Sequence, residues 1–130
     1  MTVTGIRKIS NSTNSDVVAV RGDVPRFGGA DHLVVRAHTS VPCDWNVPWS
    51  DEHLARMMAG DPSSNDGRGI KFITGPHIWV IWQEVRGSVD GFWIIEGGAG
   101  TVSQTTPRNA VGGNVALEVD AAGPPRVIDY

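Results

Sequence analysis

The chain has 130 residues, 14 acidic and 11 basic side chains, a formal charge of −3, and 40% hydrophobic content. That length suits one domain over 1–130, able to bury roughly two thirds of its unfolded surface without a disulfide or metal staple. The acidic balance argues against a nucleic-acid partner, which needs clustered Lys and Arg, and only Arg7-Lys8 sets two basic residues side by side.

The single cysteine, Cys43, excludes an internal disulfide. Met1 to Lys8 lacks the apolar run of a secretory signal, and no stretch approaches 18 consecutive apolar residues, so no membrane span is expected. A cytoplasmic location, or export without a classical signal peptide, is the simplest expectation. Sixteen glycines and eight prolines point to many short strands joined by turns.

Gly5 to Ser10 alternates, with Ile6 and Lys8 expected on one face and Arg7 and Ile9 on the other. Asp16 to Arg21 is β-branched and ends at Gly22, where Arg21-Gly22-Asp23 reads as a turn rather than an integrin-recognition tripeptide. His32 to Thr39 is again strand-like. Pro42-Cys43-Asp44-Trp45-Asn46-Val47-Pro48-Trp49 reads as a connection. It leads to a helix with Ser50 as N-cap, running through Met58 to Gly60. Ile70 to Thr74 and Ile78 to Val85 flank Gly75-Pro76. Phe92 to Glu96 pairs with Ile78 to Val85 through a loop over 86–91. Thr101 to Thr105, Val115 to Val119 and Arg126 to Ile128 complete the strand signals.

Ile78-Trp79-Val80-Ile81-Trp82 is apolar on both faces, as a covered central strand requires. Gly5 to Asn11 resembles Gly69 to Gly75, and each is followed by a β-rich run ending in Val-Arg-Gly. The fold expected is all-β, a two-sheet β-sandwich of eight to ten short antiparallel strands with one short helix in a connection. The repeat allows a duplicated meander.

Two indoles in one connection need something to pack on them, either a ligand or the core. A sugar offers an apolar C–H face and a ring of hydroxyls, which suit an indole flanked by carboxylates and amides. The candidate ligand-binding residues are therefore Asp44, Trp45, Asn46 and Trp49, with Gln83, Asp90 and Trp93 added from the neighbouring hairpin.

Other patterns read as ordinary structure. Asn11-Ser12-Thr13 is a polar turn, and Asp61 to Gly67 is a solvated loop lacking the spacing of a helix–loop–helix calcium site. The four histidines are scattered, with His32 and His38 about 20 Å apart if on one strand, so no metal site is expected. Gly97 to Gly100 is a turn with no following helix or lysine. Cys43 lacks a neighbour that would activate it. Glu84 and Glu96 could pair as glycosidic carboxylates, but a small sandwich leaves little room for the cleft.

The function expected is a non-enzymatic, lectin-like module that binds a glycan or other small polar ligand without a cofactor. The alternatives are a structural or protein-interaction domain, with exposed edges making a homo-oligomer contact, and a small hydrolase whose site the sequence does not identify.

Overall fold

The computed structural model describes residues 2–22, 31–60, 66–97, 100–105, 107–121 and 123–130. In chain order these form β1 (Thr4–Asn11), β2 (Val17–Gly22), β3 (Asp31–Val35), β4 (Thr39–Asn46), α1 (Glu52–Ala59), β5 (Gly69–Thr74) and β6 (His77–Arg86). They continue as β7 (Val89–Glu96), β8 (Ser103–Gln104), β9 (Gly113–Val119) and β10 (Arg126–Asp129). A four-stranded sheet in the order β10-β9-β1-β4 faces a six-stranded sheet in the order β3-β2-β5-β6-β7-β8. The fold is thus all-β and sandwich-like, with one parallel pair, β1–β9, among otherwise antiparallel neighbours.

The main core lies between the sheets. Ile6, Ile9, Val115 and Leu117 from one sheet meet Val17, Ala19, Phe72, Ile81, Phe92 and Ile94 from the other. The facing expected along β1 changes at Arg7. Ile6 is opposite Val115 and Lys8 is opposite Ala116, so Arg7 is an extra residue in the ladder. This bulge resets the two-residue period and turns both Ile6 and Ile9 inward while Lys8 faces solvent.

The double-sided apolar run of β6 has two different covers. Ile81 faces the opposite sheet, whereas Val80 and Trp82 join Val20 and Ile95 under Ala55, Met58 and Ala59 of α1. The spacing 55, 58, 59 makes the apolar stripe that lets an eight-residue helix lie on a sheet. Asp51, not Ser50, is its N-cap, because the Asp51 carboxylate accepts from the Leu54 N–H at 2.9 Å. Ser50 is used elsewhere, donating its N–H to Gln83 O at 2.9 Å and its hydroxyl to Arg68 O at 3.0 Å.

Three further expectations are corrected. The run from His32 to Thr39 is broken at 36–38, where His38 takes a left-handed φ of 57° and the chain crosses from β3 in one sheet to β4 in the other. The 86–91 loop shrinks to a two-residue turn, since Arg86 pairs with Val89 and Gly87 supplies φ 65°. The duplicated meander holds in the second half only. Strands β5, β6 and β7 are consecutive neighbours, but β1 lies in the sheet opposite β2 and β3. Asp23, residues 61–65 of the acidic loop and residues 98–99 of the glycine-rich turn lie outside the described residues.

Candidate functional site

Most of the stretch expected as an aromatic loop is strand. Val41, Cys43 and Trp45 point inward along β4, alternating with exposed Pro42, Asp44 and Asn46. Trp45 is 8% exposed and part of the inter-sheet core, so it offers no stacking face to a ligand. Asp44 lies on the opposite, solvent-facing side and pairs with the Arg7 guanidinium, which also donates to Asn114 Oδ1 at 2.9 Å. Burial pushes the Cys43 thiol above its usual value, more than the hydrogen bonds from the Trp45 and Asp44 backbone lower it.

The connection after β4 is pinned to β6. Trp49 forms an isolated parallel bridge with Gln83, and its indole N–H donates to Thr2 O at 2.7 Å. Gln83 is wholly buried, accepting from the Thr4 hydroxyl at 2.6 Å and donating to Val47 O at 2.9 Å. Its amide therefore satisfies backbone and side-chain groups where the connection crosses between the sheets. Trp93 belongs to the other face of the six-stranded sheet, donating its indole N–H to Glu84 O at 3.1 Å under the Arg86 guanidinium. Asp90 is exposed near the β6–β7 turn. The seven residues thus divide among the core, the solvent face of one sheet and both faces of the other, and they do not line one cavity.

A cleft of about 390 Å³ opens near the Asn11 end of β1, away from the Thr4 end where Gln83 and Trp49 sit. Its size falls within the roughly 300–1,000 Å³ of small-molecule sites. One wall is Trp79, whose ring stacks on His77 with centroids 6.1 Å apart and planes at 29°. The tight Thr74-Gly75-Pro76-His77 hairpin sets this pair, because two residues apart on β6 they share a face. His77 Nδ1 bonds Glu96 Oε1 on β7, which orients the imidazole and leaves Nε2 as its remaining polar atom.

The facing wall comes from the β1–β2 turn and the end of β9. Asn11 organises that turn from a nearly buried position. Its amide donates to Ser15 O at 2.8 Å and Val35 O at 2.9 Å, and its carbonyl accepts from the Thr13 N–H at 2.9 Å. This holds Thr13 and Ser15 at the rim. Asp16 is fixed beside them by the Ala37 N–H, 3.2 Å from its Oδ1. Asp120 lies 3.6 Å from Arg126 Nη2. The cleft therefore combines an indole, an imidazole, two carboxylates and three hydroxyls, including that of Thr74.

No family model, no curated protein and no solved structure matches the chain.

Among the described residues no three His, Cys, Asp or Glu side chains converge as metal ligands, and no helix is long and apolar enough to cross a membrane. A shallower depression of about 250 Å³ beside Ser10, Asn11, Ser12, His38, Thr39 and Ser40 has no Trp, Tyr or Phe among the described residues that line it. Trp79 does not stand out in the sequence because it sits within an apolar run that resembles core throughout. The available signal was its neighbour. A polar His77 on the same face, next to a Gly-Pro turn, marks where that face leaves the core.

Proposed function

We propose that the protein is a non-enzymatic binding module for a small hydroxylated ligand, a glycan unit foremost, with its site in the Trp79 cleft. The supporting observation is the partly buried Trp79 ring forming one wall of a cavity whose other walls carry Asp16, Asp120, Thr13, Ser15 and Thr74. Stacking of a sugar's C–H face on the indole supplies affinity, and the carboxylates and hydroxyls choose among hydroxyl orientations. The indole is already held by its contact with the core and by His77, so little ordering entropy opposes binding.

Glycan-array binding of the wild type, Trp79→Leu and Trp49→Leu tests this reading. Leucine keeps apolar packing and removes the aromatic face. Binding is expected to fall at least tenfold in Trp79→Leu and to persist in Trp49→Leu. Binding that survives Trp79→Leu, or is lost only in Trp49→Leu, would sink the site.

A further inference from the structure

We infer that this cleft selects a cationic hydroxylated ligand, an amino sugar or aminated polyol, over its neutral and acidic counterparts. The inference rests on the binding reading above and adds the sign of the ligand's charge. Asp16 and Asp120 bring two carboxylates to the lining, and among the described residues no lysine or arginine lines it. His77 does not offset them, because the Glu96 carboxylate bonds its Nδ1 and meets whatever charge the ring carries. Among the described residues Arg126 is the cation paired with Asp120, and it is shared. It approaches Glu118 at 2.6 Å and Asp120 at 3.6 Å. The face of Trp79 adds a further preference of the same sign, since an aromatic quadrupole presents negative charge to whatever stacks on it.

An ammonium placed over the indole thus meets a favourable ring and carboxylates near it. A neutral hydroxyl in the same position gains only hydrogen bonds, and a sugar carboxylate is repelled. The cleft is open to solvent, so the preference must weaken with salt.

Titration of the full chain with D-glucose, D-glucosamine and D-glucuronic acid, and with the matching galacto series, reads this directly by NMR shift perturbation. At low ionic strength the amino sugar of at least one series is expected to bind about tenfold tighter than its neutral parent, with the uronic acid weakest. The gap is expected to shrink in 0.5 M NaCl. Asp16→Asn and Asp120→Asn, which preserve shape, are each expected to narrow the ratio of amino-sugar to neutral-sugar affinity, and an unchanged ratio in both variants overturns the charge inference. Equal affinity for amino and neutral sugars at low salt overturns the charge inference and leaves the binding reading standing. Absence of shifts at the cleft with every probe overturns both.

Discussion

Gln83 of β6 accepts a 2.6 Å hydrogen bond from the hydroxyl of Thr4 on β1, across the gap between the two sheets. The same hydroxyl accepts the Gly112 N–H at 2.6 Å, and the Gln83 amide donates to Val47 O at 2.9 Å. A buried chain of hydrogen bonds therefore joins the loop before β9, the first strand, the central strand and the crossing connection. Such a network is costly to interrupt because each orphaned group has left water without a new partner.

Thr4→Val keeps the shape of the side chain and orphans both the Gly112 N–H and the Gln83 carbonyl. A loss of about 2–3 kcal/mol in urea unfolding is expected, and a similar loss for Gln83→Leu. The double variant should cost about 1 kcal/mol less than the sum of the two, because the second change removes a group already without its partner. Strict additivity would mean that the two side chains do not act as one unit.

The helix is tied to the β6–β7 hairpin by charge as well as by packing. Glu52 bonds Arg56 at 2.8 Å within the helix and reaches Arg86 at 3.4 Å on β6, and Arg86 in turn lies 5.3 Å from the centre of the Trp93 ring. The Arg56 hydrogen bond, helped by the charges of Arg56 and Arg86, holds the Glu52 carboxyl below its ordinary value of 4.5. A depressed carboxylate contributes stability that is fully present above the unfolded-state value and lost as pH falls through the folded-state value. Stability is therefore expected to fall on the acid side of about pH 4.5, with a smaller fall in Glu52→Gln. The groups are solvent-accessible, so 0.5 M NaCl should reduce the difference. Unfolding midpoints of both proteins between pH 3 and 7 check this, and identical acid limbs would refute it.

The sandwich was legible because its signals are local. Strand periodicity, turn glycines and the apolar run of β6 all act within a few residues. What was not legible depended on partners distant in the chain. Strand β4 reads as a connection because it lies between a strand-like run and the helix, yet it forms an edge strand, a position that tolerates Pro42. Placing Trp45 in the core requires that strand, so reading β4 as a connection also left Trp45 looking available to a ligand. The second cover of β6 depended on where a two-turn helix docks, which its own stripe cannot specify. Trp79 needed knowledge of which end of the inter-sheet layer stays open. Asp120 is more than 40 residues away from it, and no local pattern links them.

Two glycines with left-handed backbones separate conformational strain from crowding. Gly75 has φ 62° in the β5–β6 turn, and a Cβ there would meet nothing within 4 Å. Gly67 has φ 114° where the chain leaves the helix for β5, and a Cβ there would lie 2.5 Å from both Leu54 O and Met58 N. Both positions carry the penalty of about 1 kcal/mol for placing a side chain at positive φ. Only at Gly67 must the helix backbone also move. That movement would disturb Met58, wholly buried against the sheet, and the bond from the Arg68 N–H to Leu54 O at 3.2 Å. Gly75→Ala is expected to lower stability by about 1 kcal/mol, and Gly67→Ala by about 3 kcal/mol or more, the excess reflecting overpacking. Amide exchange should locate the difference, with protection falling across Glu52–Ala59 in Gly67→Ala and unchanged there in Gly75→Ala. Equal losses in the two variants would show that the helix can shift freely on the sheet.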